Sequence, residues 1–336
     1  MKHMRYALLA LLLLTALPAY SQIIELKSGK TIQGRITEQH QEYIKVEIGG
    51  VPIKYYFKDI AAINGQPILE DQSSVSSEDI NKPVTIEIFA VEWNLPEDID
   101  AVIHNGIWSI QGVFNKVFDL HFTPDFVAKV RIFGDDKYFF GYQRMSSTTS
   151  SSSGFYTGKV NEAVTYWRKD IGEMLALVFH EITHALAHNA FNYLPLWLDE
   201  GIAEYFEQAV VKDDFLVVSA YPERNRSLKQ RLRWESVKDL SEFLAMPDEE
   251  WDDYNSLEDA PSRTMSWSII YFLMETESGR EALKKILHKV KDIGDQPDVS
   301  LKVFDSSYPG GVAQFEKDWH QWIPKERLVH VYPICR

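Results

Sequence analysis

Two hydrophobic periods and one polar gap organise the chain. From Gln22 to about Ile68, apolar and polar residues alternate in short runs, "IIELKSG", "TIQGRITEQ", "YIKVEIG", "VPIKYYF" and "IAAING". Turn residues at Ser28-Gly29, Gly34, Gly49-Gly50 and Asn64-Gly65 break these runs at the spacing of a small antiparallel barrel or meander. Leu69 to Pro83, "LEDQSSVSSEDINKP", is polar and serine-rich and reads as a linker. From Val84 the pattern is mixed. "VTIEIFAVEW" and "VAKVRIFG" have strand character, "DIDAVIHNGIWSIQGVFNKVF" has helical spacing, and "GFYTGKVNEAVTYW" (Gly154 to Trp167) is a strand region with a turn inside it. "SSTTSSSS", Ser146 to Ser153, reads as a loop. Downstream, "SLKQRLRWESVKDLSEFLAM", "TMSWSIIYFLMET", "GREALKKILHKVKD" and "VAQFEKDWHQWI" repeat every three to four residues, with Gly279, Gly294 and Gly310-Gly311 as breaks. The predicted fold class is α+β: an all-β, barrel-like module over residues 22–68, a linker over 69–83, and a mixed domain over 84–336 whose second half is mostly helical.

The first residues change where this fold is expected to work. "MKHMRY" is a short basic start, Ala7 to Ala19 is apolar, and "AYS" supplies the small residues of a signal-peptidase site. The apolar run is shorter than the roughly 20 residues a spanning helix needs, so a cleaved signal peptide over 1–21 is expected rather than an anchor. Cleavage between Ser21 and Gln22 would give an extracytoplasmic chain, periplasmic or secreted, with no stable membrane insertion. The single cysteine, Cys335, has no intrachain partner, so stability must come from packing. Net charge is −14, and −16 once Lys2 and Arg5 are removed. A surface that acidic repels phosphate backbones and argues against a nucleic-acid partner.

The candidate chemistry lies in "LVFHEITHALAH", Leu177 to His188. On a helix, His180 and His184 are about 6 Å apart along one face, so both imidazoles can reach one ion, and Glu181 lies beside them. At this composition chance supplies His-Glu-x-x-His in roughly one chain in fifty. Zinc suits such nitrogen ligands, and a catalytic zinc keeps a position open for water. A third ligand is needed. A third histidine after a glycine turn is excluded, because Ala187 and Ala190 stand where that glycine and histidine would fall. His188 lies one turn past His184, and a straight helix does not easily bring three successive turns onto one tetrahedral ion. A glutamate of the following helical segment, "LPLWLDEGIAEYFEQ" (Leu194 to Gln208), can supply the ligand.

"HEITH" followed by "WLDEGIAEYFE" resembles the gluzincin metallopeptidases, most closely the M1-like group called peptidase MA. The resemblance is specific over the two motif segments, loose over Val84 to Pro333, and leaves out the amino-terminal β module. It implies a zincin-like fold, Zn2+ held by His180, His184 and Glu200, and Glu181 as general base in hydrolysis of a peptide or protein substrate. The spacing from His184 to Glu200 is three residues shorter than in the best-known aminopeptidases, which leaves Glu204 as the competing ligand. If Glu200 binds the metal, Glu204, one turn on, is placed to accept a hydrogen bond from a ligand histidine. Asp199 and Glu207 read as surface or capping residues. Gluzincins bind substrate as an extra strand at a sheet edge, which points to Phe155 and Tyr156, and Tyr205, Tyr254 and Tyr271 are the oxyanion candidates. No Gly-Ala-Met-Glu-Asn string occurs, so an endopeptidase is expected rather than an aminopeptidase. The alternatives are an inactive zinc-containing binding module of the same fold and a non-peptide zinc hydrolase.

Overall fold

The computed structural model describes residues 22–39, 43–48, 51–56, 60–67, 82–122, 126–147, 151–191, 193–293 and 297–333. The expected signal peptide, nearly all of the linker, His40, Gly294 and Cys335 lie outside the described residues.

Alternating residues build the first unit. Strands β1 (Gln22–Leu26), β2 (Thr31–Gln39), β3 (Tyr43–Ile48), β4 (Val51–Tyr56), β5 (Ile60–Ile63) and β6 (Gln66–Pro67) form one antiparallel sheet in the order β4-β3-β2-β1-β5-β6. Ile24, Ile32, Ile44, Val46, Ile60 and Ile63 form a small core of their own on it. The β5–β6 turn uses Asn64 and Gly65, both at positive φ (56° and 74°), the conformation that matches a tight hairpin to strand twist. The expectation of a barrel-like module is corrected here. Among the described residues the sheet is open, with β4 and β6 at its two edges.

The second unit starts with β7 (Thr85–Val91), α1 (Glu97–Lys116), β8 (Val127–Phe133), α2 (Asp136–Ser146), β9 (Gly154–Thr157) and β10 (Glu162–Tyr166). Its sheet runs β7-β8-β10-β9. The helical crossovers make β7, β8 and β10 parallel, and the tight turn between β9 and β10 makes β9 antiparallel and leaves it at the edge. Helix α3 (Ile171–Ala190) packs on β9 and β10, and α4 (Leu196–Glu207) packs on α3. The Asp170 side chain starts α3 by accepting hydrogen bonds from the Gly172 and Glu173 amides. Helix α3 is buried from Val178 to Ala187, so its two motif histidines sit in the protein rather than on it.

The remainder is β11 (Ala209–Lys212), β12 (Phe215–Val218), α5 (Pro222–Arg233), α6 (Leu240–Leu244), α7 (Asp248–Asn255), α8 (Pro261–Glu275), α9 (Glu277–Ile293), α10 (Pro297–Asp305), α11 (Gly311–Trp322) and β13 (His330–Pro333). The last strand returns to β12, making a third sheet, β11-β12-β13, that the sequence reading lacked. Gly279 falls inside the first turn of α9 and is not a break; α8 ends at Thr276. The fold is therefore mixed α+β, and no helix among the described residues is long and apolar enough to cross a membrane.

Helix α4 is fixed by its contact with α8. Gly201 is the point of closest approach, since a Cβ there would lie 2.8 Å from the Ser266 carbonyl oxygen and 2.7 Å from Ile270. Backbone cannot yield cheaply, so Gly201→Ala should destabilise the protein by about 1–3 kcal/mol. Thermal unfolding checks this, and an unchanged midpoint would show that α4 and α8 can separate at no cost.

Candidate metal centre

Helix periodicity places the polar groups. His180 and His184 share one face of α3, and Glu200, Glu204 and Glu207 follow each other along one face of α4, with Asp199 beside them. The two histidine Nε2 atoms lie 3.2 Å apart. Their Nδ1 atoms point outward to carboxylates: His180 Nδ1 is 3.0 Å from Glu207 Oε2, and His184 Nδ1 is 2.9 Å from Asp199 Oδ1. Glu200 Oε2 is buried, 3.6 Å from His180 Nε2 and 3.2 Å from Arg263 Nη2. The other Glu200 oxygen accepts from Arg263 Nη2 at 3.2 Å. Metal-ligating atoms come within 4.8 Å of one another in three overlapping sets, His180/Glu181/His184, His184/His188/Asp199 and His180/Glu204/Glu207.

Carboxylates on the Nδ1 side favour the tautomer that leaves each Nε2 with a lone pair. Two nitrogen lone pairs and a carboxylate oxygen, itself paired with Arg263, then come together as a donor set that suits a cation. These buried His/Glu groups can hold a metal ion. Burial opposes charge on His184, but Asp199 outweighs it and pushes its pKa up to about 10. Burial likewise opposes charge on His180, and Glu207 and Glu181 raise its pKa. For Glu200 burial raises the carboxyl pKa, while Arg263 and both histidines bring it below the usual value.

Glu181 belongs to the same cleft, a cavity of about 560 Å3 bordered by residues 151–156, α3, α4, Arg224, Asn255 and Arg263. Its side chain lies against Gly154 of the edge strand, where a Cβ would come 3.1 Å from Glu181 Oε1. Burial pushes the Glu181 carboxyl above its ordinary pKa, and His180 and His184 moderate the rise.

The other expected site residues divide. Phe155 and Tyr156 are on the edge strand β9. The Phe155 ring packs on Phe139, while Tyr156 faces the cleft and stacks on His188 at 5.4 Å. His188 is also 3.1 Å from Asp199 Oδ2. Glu204 makes no hydrogen bond to a histidine. It is fully buried and held by Arg224 (Nη2 at 2.7 Å) and Arg263 (Nη1 at 3.2 Å). The role expected of it falls to Asp199 and Glu207, which had been read as surface or capping residues. The tyrosines are corrected as well, since none borders the cleft. Tyr205 bonds His330 and Tyr332, Tyr271 donates to the Leu328 carbonyl, and Tyr254 packs under Lys238. Glu207 was within reach of helix arithmetic, seven residues past Glu200 on the same face. Arg224 and Arg263 were not, because their partners are 20 and 59 residues away.

No curated protein matches this chain. The uncharacterised family described as "Protein of unknown function (DUF1570)" matches residues 174–293, a stretch that holds both histidines, Glu181, all of α4, Arg224 and Arg263.

Proposed function

We propose that the chain is a zinc-dependent peptidase in which His180, His184 and Glu200 hold the metal and Glu181 is the general base. The observation that carries this reading is the convergence of the two Nε2 atoms, 3.2 Å apart, with Glu200 Oε2 buried 3.6 Å from one of them. When bound, zinc supplies Lewis acidity that polarises a carbonyl oxygen and makes water nucleophilic near neutral pH.

The chain's own residues supply the rest. Glu207 and Asp199 hold the imidazole rings and fix their tautomers. Glu181 lines the cleft with a carboxyl raised by burial, placed to take a proton from water and return it to the departing amine. Gly154 leaves room beside that carboxylate. The outer edge of β9 has no partner strand among the described residues, and an extended substrate would add there as a further strand, with Tyr156 against it. We favour an endopeptidase of zincin-like fold acting outside the cytoplasm, as the motif resemblance and the leader-like first residues suggest.

The test is turnover of an unfolded protein substrate by the zinc-loaded chain, before and after chelation. Cleavage that stops on chelation and returns with zinc is expected. A zinc-loaded protein that cleaves nothing, or cleavage indifferent to the chelator, would overturn the proposal.

A further inference from the structure

The cleft lacks an assigned donor for the oxygen that becomes negative during hydrolysis, since the three tyrosines are elsewhere. Helix α3 carries the edge strand on one side, and α4 carries α8 on the other. From the α8 side the cleft is bordered by Arg224, Asn255 and Arg263. Most other polar groups there are committed. Tyr156 donates to Asn161 Oδ1 at 3.0 Å, His188 is tied to Asp199, and Arg224 directs both Nε and Nη2 at Glu204. Asn255 uses its side-chain oxygen to accept from the Arg263 amide, and its remaining amide donors are neutral.

Arg263 differs in placement and in spare capacity. Its Nη2 holds Glu200 and its Nη1 holds Glu204, each at 3.2 Å. A guanidinium has five N–H donors, so three remain beyond those two bonds. Its side chain is 34% exposed, on the cleft surface, whereas Glu204 beneath it is 0% exposed. Two carboxylates on different turns of α4 thus set the fork before substrate arrives, and one of them, Glu200, also reaches to 3.6 Å from His180 Nε2. Donors fixed in advance beside developing charge are a large catalytic term.

Resting on the peptidase reading above, we propose that Arg263 is a catalytic residue that donates a hydrogen bond to the scissile carbonyl oxygen as negative charge develops there. In the step it serves, the water oxygen bonds to the carbonyl carbon, the C=O π pair moves onto oxygen, and one water proton passes to Glu181. When the tetrahedral species collapses, that pair re-forms the carbonyl, the C–N bond breaks, and the Glu181 proton goes to nitrogen. Arg263 stays protonated throughout.

The test compares the zinc-loaded parent with Arg263→Lys and with Arg224→Lys, which loosens the same Glu204 but does not touch Glu200. For each, kcat, KM, zinc affinity against a competing chelator, and the dissociation constant of a phosphinic pseudopeptide, a tetrahedral anion, are measured. Arg263→Lys should lower kcat by about 100- to 1,000-fold, with KM shifted less than about threefold and zinc retained. Pseudopeptide affinity should fall by a similar factor. Arg224→Lys should lower thermal stability comparably but cost kcat far less. Should Arg263→Lys fail to fold, Arg263→Gln, which keeps two N–H donors without the charge, takes its place with the same expectation. Unchanged kcat and pseudopeptide affinity in the folded variant, or a loss wholly explained by missing zinc, would overturn the assignment. A parent that cleaves nothing sinks the peptidase reading instead, and the pseudopeptide comparison alone then decides Arg263, with equal affinities overturning it.

Discussion

Glu181→Gln will lower turnover by about 100- to 10,000-fold while the protein stays folded and keeps its metal. Glutamine matches glutamate in shape, so the change leaves the packing against Gly154 in place. It lies within two residues of neither Asp199 nor Glu207, which hold the histidines, and those bonds survive. The amide can neither accept the proton of the attacking water nor return it to the departing amine, the two roles assigned to the side chain. Steady-state kinetics with metal analysis of the same preparation reads both halves of the expectation. A variant that cleaves as fast as the parent would remove Glu181 from the mechanism.

The second large effect separates two glutamates that sit one turn apart. Glu204→Ala leaves the guanidiniums of Arg224 and Arg263 without the buried carboxylate both of them hold. Breaking a buried ion pair from one side costs about 3–5 kcal/mol, because the remaining charge is left uncompensated. In a domain of this size that corresponds to roughly 10 °C in the melting midpoint. Glu207→Ala removes instead the acceptor on His180 Nδ1. Lost orientation of a ligand histidine typically weakens metal binding about 10- to 100-fold, so Glu207→Ala should show in zinc affinity more than in the midpoint. Thermal unfolding of the metal-free variants and zinc titration of the folded ones distinguish the two. If Glu204→Ala melts with the parent and loses zinc affinity instead, the carboxylate roles on α4 are reversed.

How much of this could be read from the chain depends on the range of each interaction. The pair His180 and His184 is local, set by one helical turn, and the apolar run around it marks a buried helix, so that half of the site was legible. Glu200 was reached through the adjoining motif, and Gly201 of that motif is explained by a carbonyl at Ser266 that no spacing rule reveals. Tyr205 and Tyr271 look equivalent to site tyrosines in the sequence, but the chain's return into β13 engages them through His330 of that strand and the Leu328 carbonyl before it. Strands of four residues, as in β11, β12 and β13, are too short to display a period, and the pairing of β12 with β13 joins residues more than a hundred apart. The open sheet of the first unit shows the same limit. Alternation fixes which residues face its core, whereas closure depends on whether the end strands meet.

The central claim is that three side chains from two helices make one metal site, and zinc titration of the metal-free protein against a competing chelator tests it most directly. The account predicts stoichiometric, tight binding by the parent, a steep loss in Glu200→Ala, and retention of zinc in Glu181→Gln. A folded parent that binds no zinc in competition, or a Glu200→Ala variant that binds as tightly as the parent, would contradict it.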